Sequence, residues 1–353
     1  MSSAGRIAVA GSIATDHLMH FPGRFSEALL PDQLHRVSLS FLVDDLVVRR
    51  GGVACNISFG LAQLGQRPIL VGAAGQDFDE YQSWLTRHGV DCEHVYRVPD
   101  VQTARFVCTT DDDMNQIASF YAGAMSRAGD IELAPIAEAT GGFSLVLVGA
   151  DEPAAMIRHS RECRERGYPF AADPSQQLAR LDGDQVVDLV RGAELLFTND
   201  YELGLLQSKT GWSVDEIQAV VGHRITTLGS EGIEIVGPTE PGRPVERLHV
   251  AALPEEAKVD PTGVGDAFRA GFLAGRSLAL SMQRSAQLGA LLATLTLETV
   301  GPQDYVLHPA SARQRLSAAY GDAAGAEIAA AFGWSDQEIV PPVEQVAPVG
   351  SRS

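Results

Sequence analysis

A chain of 353 residues with 45% apolar content has enough hydrophobic material for one large α/β domain or two modest ones. Asp and Glu number 45 against 27 Lys and Arg, a net charge of −18 with no basic run to offset it, so a nucleic-acid partner is excluded and an anionic ligand must be held by local donors. No apolar run reaches the roughly eighteen residues of a membrane span, Met1 to Val9 carries no export pattern, and Cys55, Cys92, Cys108 and Cys163 fall at irregular spacings without a CxxC pair, so reduced thiols in a cytoplasmic protein are expected.

In chain order, the first expected strand is Arg6–Ala10, which runs into Gly11-Ser-Ile-Ala-Thr-Asp16. Leu34–Arg49 mixes β-branched and aromatic residues with polar interruptions and holds no helical period. After Gly51-Gly52 the residues Val53, Ile57, Leu61 and Leu64 recur three or four apart, which predicts a helix with one buried stripe. A strand at Pro68–Gly72 follows, and then Thr103–Tyr121, again without helical spacing. Segments from about 12–20, 34–50 and 103–121 are expected to form a small β-sheet lid, because phosphoryl transfer is often sequestered under one.

Further apolar runs at Leu145–Gly149, Tyr168–Ala172, Glu194–Thr198 and His223–Leu228 each meet a turn and then a helical segment. Ile233–Val236 reads as another strand, 237–244 as a solvent turn, and Ser281–Thr299 as a helix. Strands alternating with helices predict an α/β fold whose mainly parallel sheet is covered on both faces. The tail from Ser335, with Pro341, Pro342 and Pro348, lacks apolar periodicity and is expected to fray.

The strongest local signal is Asp260-Pro-Thr-Gly-Val-Gly-Asp266, which opens a helical pattern. Free backbone N–H groups at Gly263, Val264 and Gly265, with the positive end of a helix dipole, would seat the charge of a transferring phosphoryl group. Asp266 at its mouth is the candidate base; taken alone, an aspartate here is more often a helix cap. Gly263-Val264-Gly265 followed by Phe268 fails the dinucleotide fingerprint, and Ser208 before Lys209-Thr210 fails a Walker A loop.

Asp260-x-Thr-Gly-x-Gly-Asp266 resembles the C-terminal signature of ribokinase-like PfkB kinases, and Gly51-Gly52-x-x-x-Asn56 their N-terminal one. Asn199-Asp-Tyr-Glu202 is similar to the family's NxxE element and Thr227-Leu-Gly-Ser-Glu-Gly232 to its nucleotide-contacting turn. Pro261 and Val264 depart from the common signature without removing its glycines or aspartate. Gly11–Asp16, Ser38–Asp45 and Asp173-Pro-Ser-Gln-Gln177 resemble most the adenosine kinases of actinomycetes.

The resemblance implies a three-layer α/β/α kinase domain over residues 5–334, with a flexible 335–353 tail, that moves the γ-phosphate of ATP to adenosine. It assigns Asp16 and Asn56 to a ribose diol, with Ser12, Ser40 and Gly52 lining the pocket, Phe106 and Phe120 to the base, and Gln176 or Gln177 to the nucleoside. It assigns Asn199, Thr227, Gly229, Gly232, Thr262 and Arg269 to the nucleotide, and Glu202 to Mg²⁺ through water. Some members use an activating monovalent cation such as K⁺ and pair into homodimers through their lids; both stay open here. So do another nucleoside or a sugar as acceptor, and a non-catalytic nucleoside-binding regulator.

Overall fold

The computed structural model describes residues 5–28, 40–238 and 242–334. The strands are β1 (Arg6–Ala10), β2 (Ala14–Phe21), β3 (Asp45–Gly51), β4 (Ile69–Val71), β5 (Ala73–Ala74), β6 (Tyr96–Arg97), β7 (Ala104–Asp111), β8 (Gln116–Tyr121), β9 (Phe143–Val148), β10 (Phe170–Ala172), β11 (Leu195–Asn199), β12 (His223–Thr227), β13 (Ile233–Pro238) and β14 (Val245–Val250). Eight of them form the main sheet in the order β14-β13-β12-β11-β10-β9-β1-β4. The six strands from β12 to β4 run parallel; at one edge β13 runs antiparallel to them, and β14, antiparallel to β13, returns to their direction.

Period-two alternation decides how this sheet is covered. Val9, Leu147, Leu195 and Phe197 pack with Ile57, Phe272 and Leu288 on one face. Their strand neighbours Ala8, Val146, Val148 and Leu196 pack with Ile136, Met156 and Leu206 on the other. Both faces are therefore dry, as apolar runs without polar alternation require. Among the described residues no helix is long and apolar enough to cross a membrane. The four cysteines are buried and unpaired.

The helix expected after Gly52 is present as Val53–Gln63, but it is buried over more than one stripe, since Ala54, Cys55, Phe59 and Gly60 are also covered. The reason is a second helix, Val264–Ser277, laid against it. A Cβ at Gly60 would lie 2.6 Å from the Ala270 Cβ and 2.8 Å from the Tyr305 hydroxyl, so the crossing closes only because position 60 has no side chain. This contact brings Asn56 to Asp266, joining the two halves of the sequence signature.

The lid is a four-stranded sheet in the order β3-β2-β7-β8, drawn from the three anticipated segments. Residues 34–39 of the second segment lie outside the described residues, as does the tail from Ser335. Register places Arg49, Asp16, Phe106 and Phe120 in one transverse row on one face of this sheet. Strand β14 was not anticipated: the segment read as a solvent turn is the hairpin between β13 and β14, of which 239–241 lie outside the described residues.

Candidate active site

Parallel strands deliver their C-terminal ends to one edge of a sheet. Ser12 follows β1, Asp173 follows β10, Asn199 ends β11 and Thr227 ends β12. The lid and the start of the Val264–Ser277 helix meet at the same edge. A cavity of about 560 Å³ there is lined by Ser12, Asp16, Gly52, Asn56, Phe106 and Phe120 on one side, and by Gln176, Gln177, Thr262, Gly263 and Asp266 on the other. A second cavity of about 250 Å³ is lined by Thr227, Gly229, Gly232 and Val264, with Phe268, Leu253 and Leu297 as its apolar wall. Another, about 450 Å³, lies at the opposite ends of the strands against Leu145, His223 and Arg276 and contains none of the motif residues.

The Val264–Ser277 helix begins between the first two cavities. Its N-cap is Gly263 at φ 77°, a left-handed conformation that only glycine adopts cheaply, and no side chain caps it. Its first-turn N–H groups lack intrahelical partners and lie at the boundary of the two cavities. Asp266 is therefore not a cap. Its Oδ2 accepts from Asn56 Nδ2 at 2.8 Å. Burial pushes its pKa up to about 7, against the opposing pull of Asn56 and of Arg269. A carboxylate that exchanges protons near neutrality, beside uncapped amides, can take a proton from an alcohol and leave the amides to hold an anion.

Two residues that the resemblance assigns, Arg269 to the nucleotide and Ser40 to the acceptor pocket, line neither cavity. Arg269 is not exposed: it is 5% accessible, and its Nε and Nη2 lie 2.5 and 2.7 Å from the carboxylate of Asp173, itself 1% accessible. Nη1 donates to the Gly265 carbonyl at 3.0 Å. The guanidinium is thus committed to the protein and not turned toward either cavity. Burying Asp173 requires a cation at that spot, and the helix supplies it. Ser40 is exposed and is not among the residues lining the cavity of about 560 Å³.

Asn199 and Glu202 meet as a capping box: Asn199 Oδ1 accepts from the Glu202 N–H at 2.7 Å, and Glu202 Oε2 from the Asn199 N–H at 2.8 Å. Glu202 nevertheless faces Arg269 at 4.0 Å, and burial raises its pKa. No group of three or more His, Cys, Asp or Glu able to hold a metal exists among the described residues.

Several residues of the site carried no assignment. Arg49 spans from lid strand β3 to Asp260 at 2.7 Å, and Asp260 also accepts from the N–H groups of Thr262 and Gly301. Arg49 is also opposite Asp16 in the ladder, and it lowers the Asp16 pKa that burial raises. The expected outcome for Arg49→Met is a lid less tightly held to the 260–263 loop, seen as a rise in acceptor KM of roughly tenfold in steady-state assays. Asp173 had been read only as part of a motif. Gln303 and Tyr81 had no signal at all: both sit in sequence far from any motif and reach the site only through packing.

A pfkB family carbohydrate kinase model matches residues 13–308 of the chain. The chain belongs to the PfkB family. A nucleoside kinase of Methanothermobacter thermautotrophicus is 28% identical over 324 residues, which cover 91% of this chain and 98% of that one. The ligand-free nucleoside kinase of Burkholderia thailandensis superposes with a TM-score of 0.77 at 35% identity, over 88% of this chain and 99% of that chain. The same enzyme solved with ADP and inosine gives a TM-score of 0.74 at 36% identity, over 89% and 96%. Membership of the family accounts for the two signatures.

Proposed function

We propose that residues 5–334 act as an ATP-dependent nucleoside kinase domain that phosphorylates the 5′-hydroxyl of adenosine, giving AMP and ADP. One observation carries the reading: the uncapped helix start at Gly263 separates two cavities, with Asp266 in the larger and Val264 in the smaller. An acceptor in the larger cavity and a nucleotide in the smaller would bring their reacting groups together at the 263–265 amides. Asp266 takes the hydroxyl proton, and the amides hold the transferring group in a loose transition state. Mg²⁺, when bound, would supply neutralising charge at the phosphates, and Glu202 would hold it through water. Asn199, Thr227, Gly229, Gly232 and Thr262 accompany the nucleotide.

The nucleoside class is supported by the chemistry of the larger cavity. Asp16 and Asn56 suit a sugar diol, with Ser12 and Gly52 beside them. Phe106 and Phe120, cross-strand neighbours on one lid face, offer a single aromatic wall for a base. Gln177 lines the cavity with its Oε1 buried and without a hydrogen-bond partner. An amide there can accept from the amino group of adenine while donating to a ring nitrogen. The same amide can serve hypoxanthine, and the Burkholderia enzyme was solved with inosine, so inosine is the second reading.

The test is ADP release with ATP and Mg²⁺ against adenosine, inosine, guanosine, ribose and fructose, in sodium and in potassium buffers. Adenosine is expected to give the highest kcat/KM by roughly tenfold or more, the scale of one discriminating hydrogen-bond pair. A free sugar turning over fastest would sink the nucleoside reading, and no turnover would favour a binding role. The potassium arm reads cation activation directly. The outer lid face exposes Leu46, Val48, Ile117 and Tyr121, an apolar surface that a second lid would cover in a homodimer.

A further inference from the structure

Gln303 is buried at 2% exposure, and its side chain ends between Asn56 and Tyr81. Its Nε2 lies 2.9 Å from Asn56 Oδ1 and 2.6 Å from the Tyr81 hydroxyl. Tyr81 in turn donates to the Gly51 carbonyl at 2.8 Å, and Asn56 Nδ2 donates to Asp266 at 2.8 Å. The polarity of this chain follows from one end. A backbone carbonyl can only accept, so the Tyr81 proton goes to Gly51 and the Tyr81 oxygen must accept. The group facing it on Gln303 is then the NH₂, whose second hydrogen requires the oxygen of Asn56. Asn56 is left with its NH₂ toward Asp266.

We propose that Gln303 is a positioning residue that fixes the orientation of the Asn56 amide, so that Asp266 meets a hydrogen-bond donor and is presented to the acceptor hydroxyl as a carboxylate. The inference rests on the reading of Asp266 as the base. If the Asn56 amide turns over, its oxygen faces Asp266 and favours the protonated acid, which cannot accept the hydroxyl proton. Gln303 does not line the cavity, so it acts on the site only through Asn56 and Tyr81. The other ionisable groups around Asp266 are Arg269 on its own helix, Asp173 after β10, Glu202 after β11, Cys55 beside Asn56, and Tyr305. All remain in place when position 303 changes.

The experiment compares the full chain with Gln303→Leu, Gln303→Glu and Asp266→Asn, measuring kcat and KM for the best acceptor of the panel from about pH 5.5 to 9. In Gln303→Leu the Asn56 amide loses the partner of its oxygen, and in Gln303→Glu a carboxylate that only accepts turns it. Both are expected to move the acid limb of kcat/KM upward by about one pH unit; acceptor KM can change as well through Asn56, so the position of the limb is the readout. Tyr81→Phe, which deletes one buried oxygen, gives the same direction of shift and serves if the position 303 variants do not fold. A limb that stays where it is while the rate falls equally at every pH assigns Gln303 to packing and overturns the inference. If Asp266→Asn keeps the parental rate, the base reading falls and this inference with it; an inactive Asp266→Asn beside an unmoved limb overturns the inference alone.

Discussion

Asp266→Asn is expected to lower kcat by about 10²- to 10⁴-fold, the range of a positioned general base, while acceptor KM stays close to the parental value. Asparagine keeps the shape and can still accept from Asn56, so the loss isolates proton transfer from binding. The parental kcat/KM should rise with pH and level off above about 7, where the carboxylate is ionised. Stability should run the other way. Folding holds this group's pKa above its free value of 3.8, so the folded chain keeps a proton that the unfolded chain has lost. The group's contribution to stability is full below about pH 4 and is lost as pH rises to about 7. Melting curves should therefore place Asp266→Asn at or above the parent at pH 8, with the gap closing in acid. A catalytic variant that melts lower than the parent at pH 8 would contradict this assignment of the cost.

Arg269→Met should be the most destabilising of the site variants. It leaves the Asp173 carboxylate, 1% exposed, without its cation, and breaking one partner of a buried pair costs about 3–5 kcal/mol. Urea unfolding reads the loss as a lower midpoint at unchanged slope. The double variant Asp173→Leu with Arg269→Met should recover most of it, because the penalty lies in the orphaned charge and not in a missing attraction. Failure of the double variant to recover would mean that the guanidinium's bond to the Gly265 carbonyl holds the helix start together.

The parallel sheet was legible because each of its strands is a short apolar run followed by a turn, a pattern that burial on both faces imposes. The motif residues were legible because they cluster at the C-terminal strand ends and at one helix start. Arg269 misled for a local reason: from sequence it is a single arginine on a helix, and the partner that buries it, Asp173, is 96 positions away. Ser40 failed similarly, since nothing local says where the chain runs before β3. Gln303 was invisible because its value comes from meeting Asn56 and Tyr81, 247 and 222 residues away. Period and spacing report local geometry; a buried polar chain of long range leaves no such trace.

With the acceptor in the larger cavity, as proposed, the transverse row on the lid bears on how acceptor choice could change. Arg49, Asp16, Phe106 and Phe120 share one register line across four strands. A one-residue insertion or deletion inside β2 would turn Asp16 to the outer face and break the alignment with every neighbour at once. Point substitutions at Phe106 or Phe120 leave that line intact. Diversification of acceptor choice on this scaffold should therefore proceed by exchange of side chains within the row, while length variation is confined to the hairpin tips. A library built on β2, β3, β7 and β8 should hold strand lengths constant.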